Sequence, residues 1–460
     1  MLNYMNRGGA FYRQVGALAA PIVLQNLITS ALGMADTFMV GLLGQLPMAA
    51  VTLANIPLFV VQLFIFGVQS GSTVLFSQYW GRRDTAAINR VMGVAFLLAG
   101  AVSLTVALVL LAAPVRFLSL FGNDPQVVTL AAEYGRIAGF SWFLDSFAMI
   151  YIAAYRSMEK PKLGMYILIA SVTCNTLLNW VLIFGKLGAP AMGVAGAALA
   201  TLISRGLELV IVIFHASFSR GFRLDFPLLL RPGLEMTRRF VRYGAPVVGN
   251  ETLWGLGTSM FPTIMGHMAG SQDILAAYTI AGNVERLCQV VAMGIAATAS
   301  IIIGREIGAG RKHLVYQVGL TMNTLAVLAG LVVGALLLAA VYLLFPVFVF
   351  PLFSLTENAQ TISTMMLTVL ALVMVLRDFN TVNVVGVLRG GGDVTVTTLI
   401  DLSPLWLVAI PAAAVTAGVL KLSISWVYLA MSAEQAVKFA LGVWRLRSGK
   451  WVRDVTREDV

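Results

Sequence analysis

The chain has 460 residues, of which 59% are hydrophobic and 11% charged, with a formal net charge of +10. Ordinary globular domains carry about 25% charged residues, so a mean hydropathy of +0.87 excludes a soluble protein and a single membrane anchor alike. Cys174 and Cys288 both lie inside apolar stretches and imply no disulfide framework, and the three scattered histidines give no metal-ligand spacing.

A helix crossing the hydrocarbon needs about 20 apolar residues. The basic start, "MLNYMNRGGAFYRQ", leads into a run long enough to span, so it reads as a retained first helix rather than a cleaved signal. In chain order, such runs lie near 15–40, 53–78, 91–113, 133–155, 164–184 and 193–216. After a polar stretch they continue near 243–266, 273–303, 315–345, 361–388, 394–417 and 421–446. This pattern predicts an all-α polytopic membrane protein with twelve transmembrane helices.

The 31 Lys and Arg then sort by side. One side takes Arg7, Arg82, Arg83, Lys160, Lys162, Arg220, Arg238, Arg239, Arg311, Arg389 and Lys450, among others. The opposite side takes Arg116, Lys186 and Lys421. Basic loops stay inside, so both termini are expected in the cytoplasm. The same dispersal over many loops argues against a nucleic-acid partner, which needs a gathered basic patch.

The widest polar stretch divides the chain into an N-lobe (1–217), a cytoplasmic linker (218–242) and a C-lobe (243–460). The halves resemble each other. "AAPIVLQN" (19–26) faces "GAPVVGNE" (244–251), and Gly41 faces Gly266 at the same offset. Further on, Arg156 of "AAYRSMEKP" faces Arg389 of "GVLRGGGD". Six spans per half make parallel copies, hence two pseudo-symmetric six-helix bundles related by an axis along the membrane normal. Secondary transporters use this arrangement and place the substrate path between the halves, near the midplane.

Acids inside spans are costly and mark candidates for cation coupling. Asp36 stands alone in "ALGMADTFMVGLLG", about 22 Å beyond Pro21, a residue that permits a bend in the first helix. Glu251 and Asp378 lie at comparable depth in the second half, about 12 and 16 Å from its basic end. If close, they would share a proton or hold a cation between them. Glu208 follows Arg205 by one helical turn and reads as half of a structural pair. Glu285 has no identified partner, because adjacent Arg286 points elsewhere. Asp145, Asp401 and Glu434 lack close basic neighbours in sequence and read as structural. Asn175, Asn179, Thr201 and Asn283 add polar groups as lining of a substrate path.

Several local signatures resemble those of the multidrug and toxic compound extrusion (MATE) transporters. They are Pro21 with "ADTFMVG" (35–41), "NTLLNWVLIFG" (175–185), "GVAGAALAT" (193–201), "GNETLWGLG" (249–257), "IGAGR" (307–311) and "RDFNTVNVVGVLRGGGD" (377–393). Their order covers nearly the whole chain. The resemblance implies export of amphipathic organic cations by alternating access, driven by Na+ or H+. With three scattered histidines the sequence offers no nucleophile–base or metal constellation, so no enzymatic activity and no cofactor are expected. The resemblance implies a monomer in the inner membrane. It also implies coupling at Asp36 in the first lobe and at Glu251 and Asp378 in the second, with Na+ a possible occupant of each. Asn179 stands where some relatives carry an aspartate, which leaves Asp36 as the evident carboxylate of its lobe. A lipid-linked oligosaccharide flippase of the same superfamily is the alternative reading.

Overall fold

The computed structural model describes residues 3–219, 222–351 and 355–457; Arg220, one of the basic residues sorted above, lies outside them. Among the described residues there is no strand. The long helices are α1 (Gly8–Gly41), α2 (Gln45–Gly81), α3 (Thr85–Ala112), α4 (Pro125–Ser157), α5 (Lys162–Phe184) and α6 (Gly193–Phe218). They continue as α7 (Leu234–Gly266), α8 (Ser271–Gly308), α9 (Lys312–Leu343), α10 (Glu357–Leu388) and α11 (Val394–Val419). Two shorter helices, α12 (Ile424–Ser432) and α13 (Glu434–Arg447), follow, and five-residue helices lie at Pro114–Leu118 and Phe226–Leu230.

Local chemistry sets several of these ends. Asp84 accepts from the Ala87 amide at 2.8 Å to cap α3, and Asp124 caps α4 ahead of Pro125. Each satisfies amides that the first helical turn leaves without partners. Gly185 closes α5 in the left-handed region at φ 65°, which glycine adopts without a Cβ clash.

Among the described residues, ten helices are long and apolar enough to cross a membrane. The seventh and twelfth segments expected from sequence are helical but fall outside that set. The reason is local: beyond its basic start α7 carries the polar residues Asn250, Glu251, Thr252, Thr258, Ser259 and Thr263, and α12 and α13 are short helices parted at Ala433.

The chain forms two compact units, one of Met1–Val23 with Gly249–Val460 and the other of Leu24–Val248. Both divisions fall inside helices, just beyond Pro21 in α1 and just beyond Pro246 in α7. These prolines stand at the 225-residue offset that aligns the two halves in sequence, and each removes a helical hydrogen bond at its position.

In the unit Leu24–Val248, α4 packs against α2, α3 and α6, and α5 packs against α6. Small residues bring the backbones together. A Cβ on Gly139 would stand 3.2 Å from the Ala107 Cα, and one on Gly196 would stand 2.6 Å from the Leu182 carbonyl oxygen. Such close approach drives helix association in lipid, where apolar side chains gain nothing by leaving water.

In the other unit α10 takes the corresponding central place, packing against α8, α9 and α13. The start of α1 contributes Val15 and Leu18 to a core with Ala292, Ile295 and Ala299 of α8. Residues Thr381–Leu388 of α10 are π-helical, and Gly386 there lies against the Ala296 backbone. Beyond α13 the tail folds back. Trp451 is fully buried against Gly391, and the Arg453 amide donates to the Gly391 carbonyl at 2.8 Å. Buried Asp393 pairs with Arg445 at 2.6 Å and Arg453 at 3.3 Å.

Candidate functional site

The unit Leu24–Val248 brings four of the sequence-selected residues together. Asn175 and Asn179 share a face of α5, one turn apart. The Asn179 amide uses both hydrogens, donating to Asp36 Oδ1 at 2.7 Å and to Asn175 Oδ1 at 3.0 Å. Asn175 in turn donates to Thr201 Oγ1 on α6 at 3.4 Å, and Thr201 donates to the Ala197 carbonyl at 3.0 Å. Gly196 on α6 lets that helix approach the α5 backbone at Leu182 and Ile183 closely enough for this reach.

Both asparagines are buried, at 3% and 2% exposure, and Asn179 Oδ1 is buried with no hydrogen-bond partner. Asp36 is half-buried, and its hydrogen-bond partner is a neutral amide. An anionic carboxylate accepting from an amide forms a charge-assisted bond. Its remaining lone pairs and Asn179 Oδ1 supply oxygen acceptors suited to a proton or a small hard cation.

The second set divides. Glu251 on α7 accepts from Arg389 Nη1 at 2.9 Å, and Arg389 is itself 2% exposed. Next to it, Asn250 donates to Asp401 Oδ2 at 2.9 Å, and Asp401 pairs with Lys438 at 2.7 Å. Asp378 on α10 is fully buried and takes a different partner, accepting from Gln289 Nε2 at 3.2 Å. Thr381 donates to the other end of the same Gln289 side chain at 3.2 Å, and Asp378 Oδ2 is buried without a hydrogen bond. Thus Glu251 is held by a resident cation and Asp378 by the neutral Gln289 amide. Asn283 is exposed on α8, and Pro21 is buried in α1.

Three pairings were not legible in the sequence. Arg377 binds Glu285, the acid without an identified partner, so it is engaged away from neighbouring Asp378. Lys438 serves Asp401 across 37 residues. Arg205 does pair with Glu208 one turn on, at 2.7 Å, but its Nη1 also meets Asp145 on α4 at 3.2 Å. Long separations hid the partners; a count of basic residues inside spans was the available signal. Among the described residues no group of His, Cys, Asp and Glu could hold a metal through three such ligands.

Comparison with known proteins adds an independent line. The family model described as MatE matches residues 21–181 and 251–415. A probable multidrug resistance protein NorM of Bradyrhizobium diazoefficiens is 30% identical over 444 residues, covering 94% of this chain and 92% of that protein. A probable NorM of Thermotoga maritima is 26% identical over 449 residues, covering 96% and 94%. Among solved structures, the eukaryotic MATE transporter AtDTX14 aligns with a TM-score of 0.84 at 19% identity, covering 97% of each chain. At that identity the structural likeness speaks for the fold.

Proposed function

The chain belongs to the multidrug and toxic compound extrusion (MATE) family, and from that premise we propose that it exports amphipathic organic cations in exchange for Na+ or H+. The observation that carries this reading is the 2.7 Å contact between Asp36 and Asn179. There an acid inside an apolar helix meets a neutral amide, with acceptor capacity left for a cation.

In this mechanism the outward-open state takes the coupling cation at Asp36, at Asp378 with Glu251, or at both. Cation binding releases drug outward, and reorientation of the two lobes delivers the cation to the cytoplasm. A coupling ion acts by binding one conformation better than the other, so its ligands must rearrange between states. In the second lobe Arg389 would have to release Glu251 for that acid to take part. The 20 Met and 25 Phe of the chain offer adaptable apolar surface for drugs of varied shape. The protein would act as a monomer in the inner membrane, with both termini in the cytoplasm and no cofactor.

The flippase alternative fits less well. A pyrophosphate-bearing lipid calls for free basic groups, and four of the basic groups inside the helices, Arg389, Arg205, Arg377 and Lys438, are already taken up by acids. The relatives above carry multidrug resistance names, which favours drugs as the substrate class. The test is movement of a fluorescent cationic dye in proteoliposomes under a sodium or a pH gradient, each imposed alone. Dye accumulation under one gradient is expected. No accumulation under either would overturn antiport.

A further inference from the structure

Asp145, Arg205 and Glu208 form a group that the coupling mechanism does not use. Asp145 lies on α4, about 18 Å from the Ser157 end, and Arg205 lies about 18 Å from the start of α6. Both are therefore deep in the spans. Side-chain exposure is 0% for Asp145, 3% for Glu208 and 19% for Arg205.

The charge in this group does not balance. One guanidinium nitrogen, Arg205 Nη1, meets Asp145 Oδ1 at 3.2 Å and Glu208 Oε1 at 2.7 Å. The two carboxyl oxygens are thus within about 6 Å of each other, the range in which like charges oppose joint ionisation. Asp145 Oδ2 is buried and has no hydrogen-bond donor. Two carboxylates and one cation leave a net negative charge, which buried sites shed rather than keep.

Among the described residues no second cation pairs with either acid. Asp36 of α1 is the further charge acting on Arg205, and it is also an acid. Of the helices packed on α4 and α6, α2 brings Tyr79, α3 brings Arg90, both in end turns, and the five-residue helix Pro114–Leu118 brings Arg116. α5 brings Lys162 and Tyr166 in its first turns and Cys174 in mid-helix. On α4 and α6 themselves the other titratable groups are Glu133, Tyr134, Arg136, Tyr151, Tyr155, Arg156 and His215. His215 is engaged by Tyr151 at 2.9 Å. Among the described residues, both acids find their ion-pair partner in Arg205.

We propose that Asp145 and Glu208 share one bound proton beside Arg205, making the triad a proton site of this unit separate from Asp36. The proton sits on one carboxyl, which becomes a donor toward the other, and Arg205 neutralises the carboxylate that remains. The ligand is a proton rather than a metal ion, because the guanidinium already fills the cationic position between the acids.

Infrared spectroscopy of the purified full chain in detergent tests this without drug or gradient, so the result does not depend on antiport. The wild type should show a protonated-carboxyl C=O stretch that downshifts in deuterated water. The same band should be lost in Asp145→Asn and in Glu208→Gln, because either change leaves one carboxylate balanced by Arg205. Asp36→Asn should keep it. Both substitutions are isosteric, and either variant, if folded, decides the outcome. Loss of ionised-carboxylate absorption alone, with every protonated-carboxyl band retained, would overturn the proposal.

Discussion

Replacing Asp36 by Asn separates coupling from folding. Among the described residues, Asp36 accepts a hydrogen bond from Asn179 at 2.7 Å. A bond to a charged acceptor contributes about 1.5–3 kcal/mol and a neutral one about 0.5–1.5 kcal/mol. The amide carbonyl can still accept, so the bond weakens by roughly 1 kcal/mol. Against this, the variant no longer desolvates a charge, which offsets part or all of that loss. The net change is within about 1 kcal/mol, or about 2–4 °C in Tm for a unit of this size. Function should change far more, because an amide can neither take a proton nor balance a cation. Gradient-driven dye accumulation is expected to fall more than about tenfold, a barrier of about 1.4 kcal/mol or larger. The assay pairs proteoliposome transport with thermal unfolding of the same preparation. Transport within about twofold of wild type, well under that 1.4 kcal/mol barrier, would refute the coupling role. A collapsed Tm would refute the reasoning that the site tolerates an isosteric amide.

Two further substitutions probe the other unit. Arg389→Met leaves Glu251 buried without its guanidinium, and breaking a buried pair costs about 3–5 kcal/mol. Thermal unfolding should therefore show a large loss in the single variant, with much of it restored in the double variant Arg389→Met/Glu251→Met. A double variant no better than the single would show that Arg389 stabilises through other contacts. Trp451→Ala removes a fully buried ring from its seat against Gly319 and Gly391. Truncation of this kind costs about 3–5 kcal/mol. A lowered Tm is expected, and an unchanged one would mean that the tail packs only loosely on α9 and α10.

The sequence by itself determined the fold class and the succession of apolar helices, because apolar length and turn-by-turn spacing are local properties of a chain in lipid. It also marked Asp36, Asn175, Asn179 and Thr201, since an acid or amide inside an apolar run stands out wherever it ends up. Their meeting was a tertiary matter, decided when close packing of α5 on α6 set Asn175 against Thr201 and α1 carried Asp36 to Asn179. The same holds more sharply for charge balance. Arg205 looked complete with Glu208 on its own helix, and only the packing of α4 on α6 added Asp145. Glu251 and Asp378 looked alike at similar depth, yet one met Arg389 and the other met Gln289. The physical reason is the same throughout. Burying a carboxylate can be read from one helix, but what neutralises it comes from another, and no spacing along the chain encodes which helices touch.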